Sequence, residues 1–184
     1  MSVEKLKKNS LKIGIIGAGP AGSLAAYFLA SAGHSVEILE RKQEIERKVC
    51  GEYLCPKGVE LLSKLGLLER LTAGFLPLKG MVLVSPNQDV IQSFFPCSTK
   101  EEKGLSLNRA IFDQRLVDLA KEAGAQVLLK KVVVGASFDQ DKSQWAVRTE
   151  DEIFSYDLLL AADGRQSKVG HLLKHLKNIN TDRV

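Results

Sequence analysis

The chain predicts an α/β fold, a doubly wound Rossmann-like parallel sheet with a β-meander crossover and a partial antiparallel insertion. Three observations predict it. Residues 11–40, LKIGIIGAGPAGSLAAYFLASAGHSVEILE, read as strand, glycine turn, helix and strand. Three short β runs, near 132–138, 144–149 and 152–155, precede a buried apolar strand, YDLLLAA at 156–162, that ends on Asp163-Gly164. Between these blocks, residues 78–95 carry two β-type runs that a simple βαβ chain does not need.

The opening elements explain themselves residue by residue. Ile13, Ile15 and Ile16 make an apolar strand, and Gly17-Ala18-Gly19-Pro20-Ala21-Gly22 breaks it. A small-residue helix runs to about Ala32, and Val36-Glu37-Ile38-Leu39 forms a second strand closed by Glu40. A dinucleotide site needs these parts within about 30 residues. Gly17 permits the tight turn, Gly19 the close approach to a pyrophosphate, and Gly22 the close packing of helix on strand. Ala18, Pro20 and Ala21 complete the turn at a helix N-terminus that offers free N–H groups and partial positive charge to phosphates. Glu40 is placed to accept hydrogen bonds from a ribose, and an acid there disfavours a 2′-phosphate. Arg41 is either a ligand contact or a solvated charge. The motif alone does not separate NAD from FAD.

Residues 41–58, RKQEIERKVCGEYLCPKG, read as a loop leaving the sheet. Residues 57–71 have apolar positions at helical spacing (Val59, Leu61, Leu62, Leu65, Leu68, Leu71), broken by Gly66. LKGMVLVS and DVIQSFF form a hairpin about Pro86-Asn87-Gln88-Asp89, in a second layer outside the nucleotide fold. Residues 109–123 form an amphipathic helix ended by Gly124, and 126–129 a short strand. Trp145 packs on the meander. A short helix follows Asp163-Gly164 through about Leu176. The expected organisation is a disordered start (1–10), two parts of the nucleotide fold (11–74 and 107–176), the insertion (75–106) and a polar tail (177–184).

Composition excludes several classes. The net charge of +4 is mild, and basic residues gather at the ends, in EKLKK and HLLKHLK. That distribution is one of solvated termini, not a nucleic-acid stripe. No apolar run is long enough to span a bilayer, and MSVEKLKKNS lacks the apolar core of a secretory signal. Three sparse cysteines, Cys50, Cys55 and Cys97, suggest reduced thiols in the cytoplasm. Cys50 and Cys55 have no histidine nearby to complete a metal site, so no metal is expected.

Three separated segments together resemble one family, the FAD-dependent oxidoreductases of the para-hydroxybenzoate hydroxylase type, which include aromatic-ring monooxygenases and geranylgeranyl reductases. They are GAGPAGSLAAYFLASAGHSVEILER, LNRAIFDQRLVDLAKEAGAQV and YDLLLAADGRQSKV. The second is similar to the family's Arg-x-x-Phe-Asp-x-x-Leu helix, and the third to its alanine-aspartate-glycine motif. The resemblance implies that Gly17, Gly19 and Gly22 hold the FAD pyrophosphate and Glu40 the adenosine ribose. It implies that Arg109 reaches the cofactor, that Val133 lies at the adenine edge, and that Asp163, with Gly164, sits near the flavin diphosphate. The alternative is that Asp163 simply caps the helix that follows Gly164, since Asp is a favoured N-cap residue.

The segment Val49-Cys50-Gly51-Glu52-Tyr53-Leu54-Cys55-Pro56-Lys57-Gly58 is similar to the Cys-Gly-rich loop of the geranylgeranyl-reductase branch, although Gly-Glu follows Cys50 where that branch has a run of glycines. On this likeness Cys50 is a candidate thiol beside the flavin and Arg47 a candidate cofactor contact. The family runs to about twice this length. Its later Gly-Asp motif has no counterpart here, so the chain is expected to be an amino-terminal half that needs a further half or a partner chain. The implied function is the FAD-binding portion of an NAD(P)H-reduced oxidoreductase acting on a small molecule. That enzyme is either a hydroxylase of an organic or aromatic compound or a reductase of a prenyl or quinone double bond. The alternative is a non-catalytic nucleotide-binding module.

Overall fold

A computed structural model describes residues 10–45, 52–95 and 103–172. The chain opens with β1 (Lys12–Ile16), α1 (Pro20–Ser31) and β2 (Ser35–Leu39). Then come β3 (Tyr53–Leu54), α2 (Pro56–Lys64), α3 (Leu68–Thr72), β4 (Pro77–Leu78), β5 (Gly80–Val84), β6 (Val90–Phe94) and β7 (Gly104–Ser106). α4 (Arg109–Glu122) leads into β8 (Gln126–Leu128), β9 (Val133–Asp139), β10 (Gln144–Thr149), β11 (Ile153–Tyr156), β12 (Leu158–Ala161) and α5 (Lys168–Leu172). The chain divides into two units, one holding everything up to Ile45 and from Leu116 onward, the other Glu46–Arg115.

The first unit is built on a parallel sheet in the order β12-β1-β2-β8. Side chains alternate across a strand, and both faces of β1 and β2 are used. Ile13, Ile15, Val36 and Ile38 pack on one face with Ala26 of α1 and with Val117 and Ala120 of α4. Ile16 and Leu39 face the other way and pack with Val133, Val147 and Tyr156 of the antiparallel meander and Val169 of α5. The meander runs β11-β10-β9. Each fully buried Ile or Leu contributes about 1.5–3 kcal/mol. The result is helix, parallel sheet and meander in three layers, the α/β architecture the sequence predicts.

Tyr156 bolts the meander to the sheet. Its ring lies where a Cβ on Gly14 would be, so only a glycine at that point of β1 admits it. Its hydroxyl donates to Glu37 Oε2 at 2.9 Å, and Lys12 Nζ stands 3.3 Å from Glu37 Oε1 and over the ring at 5.2 Å. Burial, with the Glu37 acceptor, raises the Tyr156 hydroxyl above its ordinary range, which keeps it a donor. Trp145 meets Phe138 edge-on at 5.4 Å within the meander.

The second unit contains two small antiparallel sheets. One is β3-β7-β4, and the other is the expected hairpin β5-β6, registered from Gly80 opposite Phe94 to Val84 opposite Val90. β3 falls inside the stretch read as loop, and β4 and β7 were not expected. Strands of two or three residues are too short to show a period of two. The helix broken at Gly66 resolves into α2 and α3, with Val59, Leu62 and Leu71 buried. Arg115 donates to the Leu71 and Ala73 carbonyls at 3.0 and 2.9 Å and lies over the Phe75 ring.

Candidate functional site

The site sits at the carboxyl ends of β1, β2 and β12. The chain leaves β1 toward β2 and β8 on one side and returns to β12 on the other, so strand order reverses beside β1. Open α/β sheets bind ligands at such a switch point. Gly17 N–H donates to Leu39 O, and Ala162 N–H to Ile16 O, both at 2.9 Å. Gly17 has φ +103°, and a Cβ there would lie 2.6 Å from Ala162 O and 3.1 Å from Asp163 Cα. A Cβ on Gly22 would collide with the Gly17 carbonyl oxygen. The turn is therefore tight against both β12 and its own helix.

α1 starts at Pro20 with Gly19 in extended backbone as its N-cap residue and no side-chain cap. Proline at this position lacks an N–H to satisfy and has a preset φ. Ser23 N–H donates to Gly19 O at 2.9 Å, the first bond of the ladder. The amides before it in the helix, those of Ala21 and Gly22, precede the first rung of the ladder. Ala21 is exposed, while Gly19 and Pro20 are half-buried.

Glu40 is buried, 8% exposed. Its Oε2 accepts the Ala18 N–H at 2.8 Å and its Oε1 the Lys42 N–H at 3.1 Å. Ala18 is itself buried and accepts the Ser23 hydroxyl at 3.2 Å. Glu40 N–H donates to Leu128 O and Lys131 N–H to Glu40 O, both at 2.9 Å, so the exit of β2 is tied to the segment that enters β9. At the head of β9, Val133 turns its side chain into the core with Ile16 and Leu39. Arg41 is exposed.

Asp163 follows β12 and precedes Gly164, an exposed residue with φ +94°. Its Oδ2 accepts the Val169 N–H of α5 at 3.2 Å. Its Oδ1 is buried and has no hydrogen-bond partner among the described residues. An unsatisfied buried polar atom costs about 1–3 kcal/mol. The N-cap position expected for Asp163 falls instead to Ser167, whose hydroxyl oxygen accepts the Gly170 N–H at 2.9 Å, because α5 begins only at Lys168; Asp163 Oδ2 accepts a first-turn amide from outside the helix, and Oδ1 is left for a donor. An ionised carboxylate only accepts, so it suits a sugar or ribityl hydroxyl and repels phosphate oxygens. A glycine cradle, an uncapped helix N-terminus and an orphaned acceptor meet at one strand-end crevice. These residues fit a hydroxyl-bearing dinucleotide such as FAD.

The first unit brings together Gly17, Ala18, Gly19, Pro20, Ala21, Gly22, Glu40, Val133, Asp163 and Gly164. Arg109 belongs to the second unit. There its Nε and Nη2 donate to Asp113 Oδ1 and Oδ2 at 3.0 and 2.9 Å, and the Asp113 side chain is fully buried. Sequence reading missed Asp113, although an acid four residues after an arginine on a helix is its visible signature. It also missed Tyr156 and Glu37, whose pairing needs the sheet register. Arg47 and Cys50 lie outside the described residues. Cys55 is exposed at the N-cap of α2. Among the described residues no group of three or more His, Cys, Asp or Glu could hold a metal ion.

The sequence profile of the FAD binding domain family matches residues 10–181. The chain belongs to that family. This FAD binding domain is 32% identical over 176 residues to a digeranylgeranylglycerophospholipid reductase of Methanococcoides burtonii, covering 89% of this chain and 40% of the reductase. Among solved structures it is similar to a geranylgeranyl bacteriochlorophyll reductase-like protein from Thermoplasma acidophilum, with a TM-score of 0.70 and 27% identity over 89% of this chain and 42% of that one. It is also similar to OxyS, an anhydrotetracycline hydroxylase from Streptomyces rimosus, with a TM-score of 0.73 and 26% identity over 90% of this chain and 34% of that one. The FAD binding domain thus spans less than half the length of the relatives it matches. No helix among the described residues is long and apolar enough to cross a membrane.

Proposed function

We propose that this FAD binding domain is the dinucleotide-gripping portion of an FAD-dependent oxidoreductase. The observation that carries the proposal is the crevice where the Gly17–Gly22 turn, the uncapped start of α1 and the partnerless Asp163 Oδ1 meet. When bound, FAD supplies the electron and hydride chemistry. Gly17, Gly19 and Gly22 let the backbone approach the diphosphate, and the amides of Ala21 and Gly22 point their partial charge at it. Glu40 accepts from the adenosine ribose, the backbone at Val133 borders the adenine, and Asp163 Oδ1 accepts from a hydroxyl. Arg109, held rigid by Asp113, and Arg41 and Arg47 are assigned as further cofactor contacts, and Cys50 as the thiol beside the flavin.

For the complete reaction we take NAD(P)H as the reductant, a small molecule as the substrate and the cytoplasm as the location, the last from the sparse cysteines. Residues 75–106 are assigned to the substrate side, where further chain or a partner would complete the enzyme. Hydroxylation of an organic or aromatic substrate is supported by the likeness to OxyS. Reduction of a prenyl or quinone double bond is supported by the reductase relative.

The test uses Ala21→Glu. An acid in the first helical turn favours the helix but repels a diphosphate. The expected result is unchanged or raised thermal stability with FAD affinity weakened about tenfold or more, read by flavin fluorescence on titration. A wild-type chain that takes up no FAD, or a variant that binds it as before, overturns the proposal.

A further inference from the structure

We infer that Glu40 is a positioning residue for the glycine turn, holding it in its binding shape before any ligand arrives. The inference rests on reading that turn as the dinucleotide site. The observation is the division of one buried carboxylate between two backbone amides, Ala18 within the turn at 2.8 Å and Lys42 beyond β2 at 3.1 Å. Hydrogen bonds to an ionised acceptor are the strong ones.

The geometry explains why the turn needs this. Ala18 lies between two glycines, and glycine gives the backbone its widest conformational choice. Gly17 is pinned by Leu39 O, but the remaining turn up to the first ladder bond at Ser23 carries no side-chain cap. The Ser23 hydroxyl donates to the Ala18 carbonyl and Glu40 accepts the Ala18 amide. Glu40 itself is fixed at both ends, since its backbone pairs with Leu128 and Lys131. The acid therefore transmits the sheet's rigidity to the turn, and each carboxylate oxygen keeps a second lone pair for a ribose hydroxyl. Loss of Glu40 then weakens capture of a diphosphate that carries no ribose at all.

Glu40→Gln separates this role from a ribose contact, because it leaves one acceptor oxygen where two amides require two. In the ligand-free chain, the amides of Ala18 and Lys42 are expected to exchange with solvent about tenfold faster or more in the variant, while those of Ile13 and Ile15 in β1 stay protected. Affinity for inorganic pyrophosphate, a probe without ribose, is expected to fall along with affinity for FAD. Unchanged exchange at Ala18 overturns the inference. So does a loss of FAD affinity with pyrophosphate binding unaltered, which would confine Glu40 to the ribose. If the variant does not fold, the wild-type chain decides: an Ala18 amide that exchanges at the rate of an unstructured peptide overturns it. FAD titration of the wild type tests the dinucleotide reading separately.

Discussion

Asp157 shows how a single half-buried carboxylate ties the start of β1 to the start of β10. Lys12 N–H donates to its Oδ2 at 2.7 Å and Gln144 Nε2 to its Oδ1 at 3.1 Å. The Lys12 amide first, and the Gln144 side chain next, hold its carboxyl below the ordinary 3.8. A depressed folded pKa contributes stability that is complete above the unfolded value and is lost as pH falls through the folded one. Urea-unfolding midpoints followed downward from about pH 6 should therefore fall below about pH 4, and Asp157→Asn should flatten that part of the profile. Equal acid sensitivity in the two proteins would remove Asp157 from the account. At this scale the sequence is legible where chemistry is local. Gly17, Gly22 and Glu40 announce themselves by spacing. Asp157, Glu37 and Tyr156 do not, because each finds its partner across the sheet or the meander. Asp163 was legible with two uses, of which the structure shows a bond from one oxygen to a first-turn amide of α5 in place of the expected N-cap.

Among the elements, the hairpin β5-β6 stands apart. Leu83 and Ile91, on one face, are 59% and 66% exposed, and Val82, Val84 and Phe94 on the opposite face are exposed as well. A two-stranded ribbon is marginal alone, and apolar surface this continuous favours association. Leu83 and Ile91 are directly opposed, so the pair Leu83→Lys with Ile91→Glu places opposite charges across the strands. The double variant should self-associate less in sedimentation while its melting temperature stays close to that of the wild type. A drop of many degrees would mean that the ribbon is held by packing within the chain. The β-type runs that, with the Pro86–Asp89 turn, made this hairpin legible span five residues per strand. β3, β4 and β7 offer two or three, and tertiary pairing alone defines them. The helices were legible through their apolar spacing, including the break at Gly66.

At the scale of the whole molecule, the glycine turn, Glu40 and Asp163 that are proposed to grip an adenosine diphosphate lie within one unit, and the chain spans 40% of the reductase it resembles. ADP should therefore displace FAD with an affinity within about tenfold of FAD's own, read by competition against bound flavin. A much larger preference for FAD would show that the chain also grips the ring. The fold class was legible from the order of elements, since the central β1 can take neighbours on both sides only through a long return.

That return governs how the protein is made. β1 lies between β2, its neighbour in sequence, and β12, and the bond from the Lys12 amide to Asp157 closes a separation of 145 residues. During synthesis one edge of β1 stays bare, and the recess over Gly14 stays empty, until Tyr156 and β12 have emerged. An exposed apolar edge is an invitation to mispair, and contacts this distant in sequence form slowly. β1 therefore stays half-paired until residues 145 positions further along the sequence join it, and the growing chain needs protection at that edge.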